Sequence, residues 1–375
     1  MKKVRVLHVS TAHPAQDPRI AYRIIPSLAP HYDLIAILPH ISTGARNGVD
    51  YRWLPKFRRV WLRFVVSQPF VLWHALRVRP KLLHIYDPEL IPIARLIQVV
   101  LCIPVIYEVH ENLYKKAAEK SANQGRVLMT LFFRFDAMAQ RRFYLIFTEH
   151  AYLETYSHLT EPRAVIYNYP LLPFLDTFRK PYAPDRQRPT FFYIGWISLE
   201  RAFDTLVAGL ASLKQTYPDF QGHFFGERTL DHSDLKRLPG FTTIQNNVQF
   251  YGYTDQCDAF VHAAQSTAGI ALLKAVGDYP DSYTTKLFEY MALGLPVITS
   301  NFPLYRQVVE RHQCGFCIDP TDAGQLADAL TYLIEHPVES QLMGERGRLA
   351  VENEYNWDSE AQKLRALYRT VLSHL

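Results

Sequence analysis

A chain of 375 residues is too long for one ordinary hydrophobic core, and an apolar fraction of 48% is ordinary for a globular protein and argues against disorder. The net charge of +5 hides an asymmetry: residues 1–170 hold 23 Lys and Arg against 12 Asp and Glu, and the remainder 18 against 24. The N-terminal half is thus set to meet something anionic, while four cysteines make no disulfide framework and point to a cytosolic chain.

The opening MKKVRVLHVS has an apolar run of only about six residues, short of a secretion signal, and predicts a first β-strand. Similar β-branched runs follow in YDLIAILP, LLHIY, IPVIYEVH, YLIFTEH and AVIYNYP, separated by longer segments of helical character. This alternation predicts a parallel sheet with helices on both faces. KFRRVWLRFVV places Phe57, Val60, Trp61 and Phe64 at helical spacing, with Lys56, Arg58, Arg59 and Arg63 between them. Such a segment either packs on its own sheet or lies on an anionic membrane surface. LIPIARLIQVVLCIPVIY comes nearest to a membrane span, but Arg95 interrupts it and Pro104 breaks it.

The Pro-rich stretch 168–189 has no clean period and predicts a linker between two domains, 1–170 and 171–355. A second series begins with TFFYIGW and continues through GHFFGE, VQFYGY, AGIALLK, PVITS and CGFCID. The CGFC pair reads as small residues at a strand entrance, because no second pair completes a zinc site. The end, about 356–375, is one amphipathic helix expected to pack back on the first domain. The fold class expected is α/β, with two Rossmann-like doubly wound domains. In such sheets ligands bind beyond the strand C-termini, so a cleft between two facing domains is the expected site.

YPDSYTTKLFEYMALGLPVITS, residues 279–300, carries the densest chemistry. Asp281, Thr284, Thr285 and Lys286 crowd a helix entrance, and Glu289 lies one turn beyond Thr285 on the same face. Helix N-termini present free N–H groups and partial positive charge to phosphate. Lys286 adds a cation, and a carboxylate at Glu289 can accept two hydrogen bonds from a ribose diol. The alternative is a capped helix with a Lys286–Glu289 surface pair.

This segment resembles the E-x7-E region of GT-B glycosyltransferases of the family 4 type, with Asp281 and Glu289 eight apart. Other pieces fall in that family's order. STAHPAQDPRI resembles its H-x-x-x-D-x-R loop, LLHIYDPEL its HxHDPEL, VIYEVHENL its VHD/E strand end and VIYNYP its NxP. YIGWISLERAFDTLVAGL, VQFYGYTD and CGFCIDPTDAGQLADAL resemble its later blocks. The resemblance implies the GT-B fold and a retaining transfer from a nucleotide-diphospho-sugar to a glycan or lipid-linked acceptor, without cofactor or metal. It implies that Gly195, Arg201, Tyr253, Thr284, Thr285, Lys286 and Glu289 bind the donor, and that Asp281 contacts the sugar. His110 would face the sugar from the first domain, making His110, Asp281 and Glu289 the catalytic set. His13, Asp17, Arg19 and Asp87 are acceptor-side candidates.

Each has a plainer alternative. His110 can cap a strand, Asp87 and Glu89 can be first-turn helix acids, and Asp17 can pair with Arg19. The sequence also departs from the family pattern. The first acid is Asp281 rather than Glu, Trp196 follows Gly195 where many members have Arg, Ala202 follows Arg201 where Gly is usual, and the N-terminal Gly-Gly is absent. A dinucleotide oxidoreductase is excluded, since no G-x-G-x-x-G turn follows a strand. No recognised motif supports nucleic-acid binding. A sugar-nucleotide epimerase of the same fold and a non-catalytic partner subunit stay as alternatives. The expected setting is bacterial envelope or exopolysaccharide synthesis, with UDP favoured over GDP, at the cytoplasmic face of the inner membrane.

Overall fold

The structure is a computed structural model that describes every residue except 1–2, 14–16, 40, 111–125, 158, 160–162 and 374–375, and the backbone alone of 126–128. Residues 14–16 of STAHPAQDPRI and 111–113 of VIYEVHENL therefore lie outside the described residues. The chain forms two compact units, Met1–Asn168 with Trp357–Leu375, and Tyr169–Asn356.

The first unit contains β1 (Arg5–Val9), β2 (Asp33–Pro39), β3 (Gly44–Arg46), β4 (Val49–Leu54), β5 (Leu82–Ile85), β6 (Val105–Val109), β7 (Tyr144–Phe147) and β8 (Arg163–Val165). Their order is β3-β4-β2-β1-β5-β6-β7-β8. All neighbours run parallel save β3 and β4. That hairpin, absent from the sequence expectations, turns through Asn47 and Gly48, both at positive φ, as a tight Asn-Gly turn requires. The central strands β1, β2, β5, β6 and β7 are buried along nearly their whole length, as strands of a covered parallel sheet are. Helices α1 (Val60–Val78), α2 (Ile91–Leu101) and α3 (Arg126–Arg142) supply one layer.

The expected apolar stripe on α1 is corrected by the structure. The helix begins at Val60, so Phe57 precedes it, and the face it buries is Ser67, Val71, Ala75 and Val78. Trp61 and Val65 are 53% and 61% exposed. Arg63 is not a free surface charge, since its Nε lies 3.1 Å from Glu89 Oε1.

The second unit contains β9 (Thr190–Ile194), β10 (Gln221–Phe225), β11 (Val248–Gly252), β12 (Ala268–Ala271), β13 (Val297–Ser300) and β14 (Gly315–Ile318). The order β11-β10-β9-β12-β13-β14 is all parallel and reverses once, between β9 and β12. Helices α4 (Phe203–Leu213), α5 (Thr285–Leu293) and α6 (Pro337–Asn353) bear on the site or its support. Cys314 and Cys317 flank the start of β14 as free thiols, both pushed up to about 12 by burial. The Pro-rich stretch is bound to this unit. Asp176 pairs with Arg348 at 2.6 Å and Tyr182 donates to the Thr267 carbonyl at 2.8 Å. The last helix, α7 (Trp357–Ser373), belongs to the first unit, where Trp357 Nε1 donates to Ser27 Oγ at 2.7 Å. The doubly wound α/β class is thus what the structure shows, and the twelve runs read from the sequence are strands.

Candidate active site

Strand order reverses beside β1 and β5 in the first unit and beside β9 and β12 in the second. Loops after such strand pairs splay apart and leave a crevice. The chemistry-bearing residues of each unit gather there.

In the second unit β9 ends at Ile194, and Gly195 turns the chain at φ 138°. The glycine is needed for space as well as conformation. A Cβ there would stand 2.8 Å from Lys286 Cε and 3.1 Å from Arg201 Nη1. Arg201 and Lys286 therefore converge on one backbone position from different loops. Gly226, ending β10 at φ 132°, lies so close that a Cβ would strike the Gly195 carbonyl. The loop carrying Arg201 is tied across the crevice, with Lys274 N donating to the Glu200 carbonyl at 2.8 Å and Lys274 Nζ 2.6 Å from Asp204. Ala202 takes the left-handed conformation at φ 53°, which costs a side-chain-bearing residue about 1–2 kcal/mol and accounts for the expected glycine.

Thr284 is the N-cap residue of α5, and its side chain makes no capping bond. Its Oγ1 instead accepts from Lys286 Nζ at 3.4 Å. Thr285 opens the helix, and its first-turn amides lack intrahelical acceptors. Burial and the neighbouring Arg201 guanidinium push the Lys286 ammonium down to about 7, against an opposing pull from Glu289. Lys286 and Glu289 are both buried, which removes the surface-pair alternative. Asp281 closes a short helical turn, Tyr279–Asp281, and is exposed. Tyr253 follows β11, two strand positions from β9, and is 77% exposed. Two guanidinium- and ammonium-type charges held together at a helix N-terminus form a receptor for a multivalent anion.

The first unit gathers a buried polar network. Asp87 accepts from Thr11 N at 2.7 Å and Ser10 Oγ at 2.8 Å, and His13 Nδ1 lies 3.1 Å from its other oxygen. Desolvation opposes the charges, but the pairing prevails. It holds His13 up at about 9 and Asp87 down at about 2. Glu108, on β6, is fully buried. Arg19 Nε donates to it at 2.6 Å, and His110 Nε2 lies 2.8 Å from the same oxygen. Despite desolvation, Arg19 and His110 keep Glu108 well below the usual carboxylate range. His13 and His110 face each other at 4.7 Å between ring centroids. Desolvation pushes His8 and His84 beneath them below their ordinary value. Tyr368 of α7 reaches 2.6 Å from His84 Nδ1.

The suggested Asp17–Arg19 pair does not form between side chains. Asp17 Oδ1 accepts from the Arg19 and Ile20 amides, while the Arg19 guanidinium turns inward to Glu108 and the Ile166 carbonyl. Glu108 was not among the sequence candidates. Its signal was present in IPVIYEVH, a lone carboxylate inside an apolar strand, where an acid persists only if paired. Tyr193, whose ring centroid lies 5.7 Å from Lys286 Nζ, was likewise missed. Among the described residues no group of three or more His, Cys, Asp or Glu side chains is set to hold a metal ion.

Residues 175–350 fit the family model described as glycosyl transferases group 1. Phosphatidyl-myo-inositol mannosyltransferase of Mycobacterium leprae is 27% identical over 171 residues, 46% of this chain and 43% of that protein. The chain spans under half the length of this curated relative. Among solved structures, the sucrose-phosphate synthase of Thermosynechococcus elongatus superposes with a TM-score of 0.75 at 16% identity, covering 100% of both chains. Anabaena HepE in complex with UDP and glucose gives 0.72 at 15% identity, covering 98% of this chain and 100% of that one. The chain has the GT-B fold, and its residues 175–350 match the glycosyl transferases group 1 family.

Proposed function

We propose that this protein is a retaining, metal-independent glycosyltransferase of the family 4 type. It moves a sugar from a nucleotide-diphospho-sugar to a glycan or polyprenyl- or lipid-linked acceptor in bacterial envelope or exopolysaccharide synthesis. The observation that carries the reading is the convergence of Arg201 and Lys286 on Gly195 at the N-terminus of α5. The departing nucleoside diphosphate gathers negative charge in the transition state, and preorganised cations and amides stabilise it there. Glu289 takes the ribose, Asp281 the sugar hydroxyls and Tyr253 the base. His110, positioned by Glu108, faces the sugar from the first unit, and Asp87, His13, Asp17 and Arg19 shape the acceptor loop. UDP is favoured over GDP. The basic first unit brings the protein to the inner face of an anionic membrane. No helix among the described residues is long and apolar enough to cross one.

A thermal-shift panel of UDP, GDP, ADP and their sugars tests the reading, since a ligand of the folded state must raise the midpoint. One nucleotide should raise it specifically, and Glu289→Gln should weaken that nucleotide by about 1–3 kcal/mol through loss of a charge-assisted interaction. A panel with no shift at all would overturn the donor assignment. Transfer should persist in EDTA. Loss restored by Mn²⁺ or Mg²⁺ would overturn metal independence.

A further inference from the structure

We propose that the first unit carries a second anion site, a phosphate-ester cleft at the strand-entry end of the sheet, opposite the histidine network. The cleft encloses about 490 Å³, and Arg95, Arg141, Arg142 and Cys102 line it together with Ile103 and Phe143. It lies where the chain enters β6 and β7, whereas His13 and His110 lie beyond the strand exits. Five residues of strand separate the two ends, about 16 Å.

Two helices deliver the charge. Arg95 projects from the middle of α2, and Arg141 and Arg142 from the last turn of α3. Basic residues in a last turn complement the helix dipole, which accounts for Arg141 and Arg142 taken alone. It does not account for Arg95 joining them around one cleft. No acid lines the cleft, and among the described residues none of the three arginines pairs with a carboxylate. The polar contacts organise the cations without neutralising them. Arg95 Nη1 donates to Gln98 Oε1 at 2.7 Å, Gln98 Nε2 to the Arg142 carbonyl at 2.9 Å, and Arg141 Nε to the Ala137 carbonyl at 3.0 Å. Guanidinium groups bind phosphate oxygens through paired N–H donors, so a phosphate monoester or diester is the fitting anion. The same helix exposes Leu96, Val99 and Val100 at 46%, 55% and 53%, giving an apolar body on the ester a surface to lie against. The phosphate can come from a lipid headgroup or from a soluble ester.

Cys102 supplies the readout, being exposed in the cleft, while exposed Cys257 in the second unit serves as the internal control. Alkylation of each cysteine is followed by peptide mass spectrometry with glycerol 3-phosphate, or with phosphatidylcholine vesicles with and without phosphatidic acid. Saturating UDP keeps the Lys286 site occupied. Bound ligand should slow Cys102 by a factor of 1 + [L]/Kd, about sixfold at five times Kd, and leave Cys257 unchanged. Protection by the soluble ester assigns a soluble ligand, and protection by phosphatidic acid vesicles alone assigns a headgroup. Arg95→Gln with Arg142→Gln should abolish protection, and Arg141→Gln alone, at an exposed position, gives a second variant. Failure of both ligands to protect, equal slowing of Cys257, or protection that survives the substitutions would overturn the site.

Discussion

At the scale of single residues, Lys286 makes the sharpest prediction. Its ammonium is held at about 7 by burial and by Arg201, against an ordinary value of 10.5. The lowered value destabilises the folded free protein most below about 7, where the charged form must be kept, and the penalty eases toward 10.5. A bound diphosphate reverses the balance by favouring the charged form. Nucleotide binding above about 7 should therefore take up nearly one proton, and affinity should fall by up to about tenfold per pH unit. Calorimetry in buffers of different ionisation enthalpy measures the uptake, and Lys286→Met should abolish it. Binding with no buffer dependence in the wild type would remove Lys286 from the anion site. His13 gives a stability counterpart of opposite sign. Its value is raised from 6.5 to about 9, so its stabilisation is complete below 6.5 and lost as pH rises through about 9. His13→Gln should lower the melting midpoint at pH 6, and the gap should close by pH 10. A gap independent of pH would mean that His13 acts by packing alone.

At the scale of elements, two glycines separate space from strain. Gly195→Ala presses on Lys286 Cε and Arg201 Nη1, the far ends of flexible side chains, while Gly226→Ala presses on the Gly195 backbone. Both also force a side chain into a region that costs about 1–3 kcal/mol. Gly195→Ala should fold and lose most nucleotide affinity, whereas Gly226→Ala should lose stability first, by more than about 2 kcal/mol. Urea titration with nucleotide calorimetry distinguishes them, and equal losses of affinity without loss of stability would contradict the Gly226 contact. Elements also differ in how well the sequence exposed them. The buried parallel strands such as β1, β2, β5 and β6 were legible because strands covered on both faces read as short continuous apolar runs. The β3–β4 hairpin escaped because β3 is three residues long and largely exposed, leaving Asn47-Gly48 as its main sign. Helix α1 was misread because large apolar residues occupy both its faces. Periodicity then cannot say which face meets the sheet, and only Val71, Ala75 and Val78 answer that. The cluster at the start of α5 was legible as a local motif, but Glu108 and Tyr193 act through partners distant in sequence.

At the scale of the whole molecule, the charge asymmetry sharpens along the observed division. The first unit holds 26 Lys and Arg against 14 Asp and Glu, and the second 15 against 22, so net charges of +12 and −7 sit on separate units. The proposed membrane recruitment therefore predicts an effect of charge reversal in the first unit that leaves the proposed nucleotide site of the second unit intact. Around the start of α1, Arg58 and Arg59 are exposed beside half-exposed Trp61, while Arg63 is tied to Glu89. The variant that tests recruitment is therefore Arg58→Glu with Arg59→Glu, because reversing Arg63 would also leave Glu89 facing a carboxylate. Each basic residue near an anionic surface contributes about 1 kcal/mol, and more is lost when its sign is reversed. The double variant should leave anionic vesicles in a sedimentation assay, and wild-type binding should weaken as salt shortens the screening length to about 10 Å at 0.1 M. UDP affinity should be unchanged. Transfer to a short soluble acceptor should persist while transfer to a lipid-linked one falls. Equal loss on both acceptors would assign these arginines to the acceptor site, and unchanged sedimentation would mean that the first unit's charge serves a partner other than a membrane.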